Sequence, residues 1–210
     1  MYRLYHVKSG SILIDDQSIY NYSKKVYSTN ISGVFQKAFI FEMSIRDNLS
    51  FIDSSIKNQI AACKRVGIYK EIEKLPYGFN TIIDLDSGVL TEGQLQKLAI
   101  VRALLSKSEI LLFDEVTSNI DPSSTNDIID ILNDLKNDHT IIITTHKPEI
   151  MEIADDIVVL KEGKVVAKGK NSKVFEKSAI YRKLRTATFA RPSLNDEFLT
   201  PKNDDVLIES

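Results

Sequence analysis

The pattern that most restricts the fold is a pair of apolar blocks, "EILLFDE" at 109–115 and "TIIITTH" at 140–146, with one helix-like stretch between them. Neither block alternates polar with apolar residues, so each predicts a buried strand, and Ile110 to Phe113 fit one buried on both faces. The stretch between them, "PSSTNDIIDILNDLKN", follows Asp121, a side chain suited to an N-cap, and starts with Pro122, a ring suited to the first helical position. Strand, helix, strand in that order implies parallel strands joined by a crossover helix. Upstream, "SGSILIDD" at 9–16 and "NISGVFQ" at 30–36 read as strands, with "SIRDNLSF" at 44–51 and "KNQIAACKRVGI" at 57–68 as helices after them. Between Thr91 and Ser106, apolar residues at Leu95, Leu98, Ala99, Val101, Ala103, Leu104 and Leu105 predict a further helix that feeds the first apolar block. Downstream come a short helix from Pro148, the strand "DIVVLKEG", its hairpin return "KVVAKG" and a helix ending near Arg185. The expected class is α/β, with a mainly parallel sheet flanked by helices.

Composition narrows the setting. At 210 residues, with 43% hydrophobic and 27% charged side chains, the chain has the makeup of one globular domain rather than a disordered or membrane-embedded segment. Its longest apolar runs fall far short of the ~20 residues that cross a bilayer, and no charged-then-apolar signal opens it. A net charge of -2 with both signs interspersed gives no bulk-charge reason to expect nucleic acid or an anionic membrane as partner. Cys63 is the only cysteine, which rules out an intrachain disulfide and fits a reducing, cytoplasmic setting. From about Ala190 the sequence turns polar and loses periodicity, so 190–210 is expected to be a flexible tail behind a folded region at 1–189.

Several short stretches carry candidate chemistry. Asp114 and Glu115 fall where a buried strand leaves the sheet, and ligands of open α/β sheets collect at that carboxyl edge. There the first carboxylate can hold a magnesium ion and the second can orient and polarise an attacking water. His146 ends the second block, where an imidazole can donate to a terminal phosphate. Gln36, after "SGVF", can offer its amide oxygen to the same metal or water. Thr91, Glu92 and Gly93 lie at a predicted helix start, whose free N–H groups and dipole favour an anion. Each of these has a plainer reading by itself: solvated acids at a strand end, a capping histidine, an idle glutamine, an ordinary N-cap.

Their order is more specific than any one of them. Gln36, "LTEGQ", "ILLFDE", "SNID" and "TTH" resemble the ATP-binding cassette (ABC) ATPase family, over about Met1 to Arg185. By that resemblance Gln36 is the Q-loop residue and a possible metal ligand. Leu90, Thr91, Glu92, Gly93 and Gln94 match the signature, which faces nucleotide. Asp114 is the magnesium-site carboxylate, Glu115 the catalytic base, Ser118 to Asp121 the D-loop and His146 the switch histidine. The signature departs from the family pattern at Thr91, which keeps a hydroxyl, and at Glu92, whose added charge is expected to point outward. In the D-loop Asn119 and Ile120 replace the usual residues and leave Asp121 in place. The family fold is a P-loop NTPase-like cassette with a small helical subdomain, expected here at about 44–106, and ATP with Mg2+ as cofactors.

A G-x-x-x-x-G-K-[ST] phosphate loop is not found; the nearest imitation, "GKVVAKGKN" from Gly163, has the wrong spacing and sits in a hairpin. "MYRLYHVKSG" resembles the family's link after that loop's helix, so the expectation is a cassette lacking its first strands and phosphate loop, through a truncated frame, a misassigned start or a split gene. ABC sites are composite, and the resemblance implies a second nucleotide-binding domain in a head-to-tail dimer, with "LTEGQ" serving the partner's ATP. "VFQKAFIFEMSIRDNL" resembles exporters in particular, where this segment meets a transmembrane partner domain, with Phe39, Ile40 and Phe41 as contact candidates. The implied location is cytoplasmic, peripheral at the inner face of the membrane. A DNA-repair ABC ATPase is disfavoured because 36–90 holds no sustained heptads or cysteine pairs. A non-catalytic module that only lends its signature is the alternative.

Overall fold

The computed structural model describes residue 3, residues 6–118 and residues 120–186. The tail expected at 190–210 and Asn119 of the D-loop lie outside the described residues. The chain forms two compact units, Met1–Ile153 and Ala154–Ser210.

The first unit opens with a small hairpin, β1 (Leu13–Ile14) and β2 (Gln17–Ser18), turned by Asp15 and Asp16 at φ of 48° and 60°. Two successive positive-φ residues make the tight turn that hairpins favour, and aspartate tolerates it better than most side chains. The single strand expected over 9–16 is therefore two residues of strand running into a turn. Helix α1 (Lys24–Asn30), which apolar periodicity did not announce, is capped by Ser23, whose hydroxyl accepts from the Val26 N–H. Then come β3 (Ile31–Val34), α2 (Ile45–Ser50), α3 (Ile56–Arg65), α4 (Tyr69–Glu73), α5 (Glu92–Leu105), β4 (Ile110–Asp114), α6 (Pro122–Leu135), β5 (Thr140–Thr144) and α7 (Pro148–Ile153).

Strands β3, β4 and β5 form one sheet in that order, and both pairings are parallel. Val34 lies opposite Phe113 and Asp114 opposite Thr144, so all three strands reach the same carboxyl edge together. Central β4 buries Leu111, Leu112 and Phe113, as its unbroken apolar run requires. Edge strand β5 behaves otherwise: Ile141 and Ile143 pack on the core while Ile142 stays 42% exposed. The buried strand expected here is half realised in β5, with one face packed on the core and the face that carries Ile142 left open among the described residues. Apolar composition does not say which faces a strand's neighbours cover.

Helix α5 is the hub, packing against β3, α2, α3 and α6. Leu98, Ile100, Val101 and Ala103 are almost fully buried in the main apolar cluster. The leucine, isoleucine and valine side chains each contribute roughly 1.5–3 kcal/mol when removed from water. Burial on so many sides explains why this helix reads as apolar around most of its circumference rather than along one stripe.

Arg65 of α3 ties this helical layer to the end of α6. Its Nε lies 2.6 Å from Asp134 and its two terminal nitrogens 2.9 and 2.8 Å from Asp138. The guanidinium holds the Asp138 carboxyl down at about 2. A depressed folded-state pKa stabilises above the unfolded value near 4 and is lost as pH falls toward 2. Because Asp138 is half exposed, we expect only about 0.5–1 kcal/mol from this pair. The unfolding free energy from urea titrations should drop between pH 5 and about 2.5 by that amount more in the parent chain than in Asp138→Asn; equal drops would remove the pair from the account.

The second unit holds an antiparallel hairpin, β6 (Asp156–Lys161) and β7 (Lys164–Lys170), then α8 (Asn171–Lys177) and α9 (Ala179–Thr186). The one helix expected to end near Arg185 is two, broken where Ser178 takes an extended backbone at φ -105° and ψ 108°. Among the described residues no helix is long and apolar enough to cross a membrane.

Candidate nucleotide site at the carboxyl edge of the sheet

The parallel register brings four predicted residues to one edge. Gln36 follows β3, Asp114 ends β4, Glu115 succeeds it, and His146 lies two residues beyond β5. Glu115 donates its backbone N–H to the Thr144 carbonyl at 3.1 Å, which carries the β4–β5 pairing one residue past the strand. Its backbone then turns into the left-handed region at φ 51°. Its carboxylate accepts from the Ser118 hydroxyl and meets the His146 Nδ1 at 2.8 and 3.0 Å through its two oxygens. Partial burial acts to raise the Glu115 carboxyl, but the Ser118 and His146 hydrogen bonds and the His146 and Lys147 charges outweigh it and hold the group below the ordinary glutamate range. Glu115 is thus an anion at neutral pH, and His146, exposed over two thirds of its side chain, is free to reach outward from it.

Asp114 is exposed and accepts from the Thr144 hydroxyl through one oxygen. Gln36 is exposed as well and makes no hydrogen bond to the described residues. The donors on this side of the edge are oxygens from one carboxylate and one amide, which fits magnesium, a hard ion usually held by one or two carboxylates with water and phosphate filling the rest. Histidine and thiolate sets that would select zinc are not assembled among the described residues.

The signature residues form a separate cluster at the start of α5. Thr91 caps the helix: its hydroxyl accepts from the Gln94 N–H at 3.3 Å, and the Gln94 Oε1 accepts from the Thr91 N–H at 2.9 Å, a complete capping box. Glu92 is exposed, as expected of a charge in a first helical turn. Leu90 is buried in the apolar cluster at 6% exposure, so its side chain anchors the turn. Gly93 is buried because a Cβ there would sit 2.5 Å from the Ser124 Oγ and 2.7 Å from its Cβ. The glycine lets the start of α5 touch the start of α6.

Asp121, at that same start of α6, caps it by accepting from the Ser124 N–H at 2.9 Å and the Ser123 hydroxyl at 2.5 Å. These bonds hold its carboxyl well below the usual aspartate range. No hydrogen bond or ion pair among the described residues joins Leu90–Gln94 to Asp114, Glu115 or His146. Of the exporter contact candidates, Phe39 is 66% exposed, Phe41 partly buried and Ile40 buried at 6%. Sequence reasoning missed Ser124, Thr144, Glu71 and Lys97. Only Lys97 carried a signal, a cation at the head of the apolar run of α5.

Sheet, edge and helix starts define an α/β protein of the nucleotide-binding class. Comparison with known proteins sharpens this. A family profile described as ABC transporter matches residues 1–118. An ATP-dependent lipid A-core flippase of Haemophilus influenzae (strain 86-028NP) is 35% identical over 191 residues, covering 90% of this chain and 32% of the relative. The ABC multidrug transporter atrD of Emericella nidulans is 34% identical over 186 residues, covering 87% and 14%. A solved structure of a bacterial Atm1-family ABC exporter with ATP bound superposes with a TM-score of 0.82 at 27% identity, covering 90% of this chain and 34% of that one. The chain belongs to the ABC transporter family, and its relatives are exporter-type. It spans about a third of the length of the bacterial flippase it matches.

Proposed function

We propose that this chain is the ATP-binding part of an ABC exporter, coupling ATP-driven closure of two cassettes to movement of a substrate by transmembrane domains. The observation that carries this is the gathering of Gln36, Asp114, Glu115 and His146 at one sheet edge, with Glu115 held anionic against His146. In this reading Asp114 and Gln36 hold magnesium, which neutralises phosphate charge when bound. Glu115 accepts the proton of an attacking water, and His146 donates toward the terminal phosphate. The Leu90–Gln94 turn, which makes no hydrogen bond or ion pair to this edge's residues among the described ones, serves the nucleotide of a second cassette packed head to tail, with Ser118 and Asp121 near that junction. Phe39, exposed beside Phe41, is the proposed contact with a transmembrane domain, which places the chain at the cytoplasmic face of a membrane.

The test is complementation. The 210-residue chain is mixed with an exporter cassette that has a phosphate loop but a disabled signature. ATP turnover is expected in the mixture and is expected to vanish when Gly93 is changed to Asp. Silence in the parent mixture, with both chains folded, would overturn the reading.

A further inference from the structure

Behind the signature turn lies a charged network that the site as described does not use. Glu71 of α4 accepts from the Gln94 Nε2 at 2.6 Å through one oxygen and from the Lys97 Nζ at 3.0 Å through the other. Lys97 also reaches Asp127 of α6 at 2.7 Å, and its side chain is only 7% exposed. We infer that Glu71 is a positioning residue for the Thr91–Gln94 turn, an inference that rests on that turn serving a nucleotide phosphate.

The argument turns on which end of the Gln94 amide faces where. A carboxylate can only accept, so Glu71 requires the NH2 end, which leaves Oε1 for the Thr91 N–H. A flipped amide would set oxygen against carboxylate and donor against donor. Glu71 therefore locks the capping box in the arrangement that keeps the Glu92 and Gly93 N–H groups free for an anion.

Lys97 holds Glu71 in turn. Burial acts to lower the Lys97 pKa, but its bonds to Asp127 and Glu71 outweigh this and keep it a cation. A cation this buried does not leave its two carboxylates cheaply. Asp127 belongs to the same helix whose Ser124 touches Gly93, so the turn is fixed to α6 by contact on one side and by charge on the other.

NMR on the 210-residue chain tests this directly. Glu71→Ala is expected to move the Gln94 side-chain amide proton to the position of a free glutamine and to speed Thr91 amide exchange about tenfold relative to Leu98. Glu71→Gln keeps an acceptor but loses its charge, so it is expected to restore most of the Thr91 protection while the Gln94 proton moves part of the way. A general loss of packing would speed exchange throughout α5 and would not be rescued by Gln. A Gln94 proton and Thr91 exchange unchanged from the parent in either variant would overturn the inference, and Glu71→Gln alone decides if the alanine variant does not fold. The same variants enter the complementation mixture. A loosened turn with unchanged ATP turnover leaves the positioning role standing and removes the phosphate reading; an unchanged turn removes the positioning role whatever the turnover.

Discussion

Replacing Glu115 with Gln in a cassette completed with a phosphate loop is expected to lower its ATP turnover about 10²–10⁴-fold, the usual contribution of a positioned general base. The amide keeps the size of the side chain and can still accept from Ser118, so the local packing survives. What it loses is the ability to take a proton and the charge-assisted contact with the His146 Nδ1 at 2.8 Å. That range corresponds to roughly 3–5 kcal/mol of transition-state stabilisation. Phosphate release at saturating MgATP, with binding of a fluorescent ATP analogue as control, measures it. Binding should hold while turnover falls; a loss under about threefold would assign the chain to the signature-lending alternative.

Gly93→Ala is expected to damage stability as well as activity. Glycine normally costs a helix about 0.5–1 kcal/mol relative to alanine, so propensity alone favours the change. Contact decides otherwise. The new Cβ would lie 2.7 Å from the Ser124 Cβ, a side-chain carbon bonded directly to the α6 backbone that cannot swing away as the end of a long side chain could. Overpacking of this kind costs about 1–3 kcal/mol, and relieving it by parting α5 from α6 would displace the Thr91–Gln94 turn. The net expectation is a destabilisation of about 1–2 kcal/mol by urea denaturation. Ser124→Gly in the same chain should recover most of it, since the opposing carbon is then gone. A second substitution that recovers nothing would show that the strain lies elsewhere.

Much of this architecture could be read from the residues. Asp121 and Pro122 announced the start of α6, Thr91 the start of α5, and the alternation of apolar blocks with helices announced a parallel sheet. These signals are local, so neighbours in space could not disguise them. What escaped was set by neighbours. Ile142 is exposed because its face of β5 is left open among the described residues, and what covers a face is not written in a strand's own composition. The Asp15–Asp16 turn was lost inside an apolar run because two aspartates at a strand end look alike whether the chain continues or reverses.

The site divides the same way. Gln36, Asp114, Glu115 and His146 were legible because parallel register carries strand ends to one edge, so their order along the chain predicts their meeting. Glu71 was not legible, since it stands more than twenty residues before Gln94 on a different helix, and only packing introduces them. The reason for Gly93 was also hidden: the sequence suggested room for a ligand, and the structure gives it an immediate neighbour in Ser124.

The left-handed backbone at Glu115 has a consequence for the history of the chain. A glutamate held at φ 51° sits where glycine would be more comfortable by about 1–2 kcal/mol. The backbone alone thus favours glycine or asparagine there, as it does at Lys107 and Glu162, and at 115 the hydrogen bonds to Ser118 and His146 act against that preference. A lineage released from hydrolysis would be expected to relax there early, ahead of its buried residues, which folding itself protects.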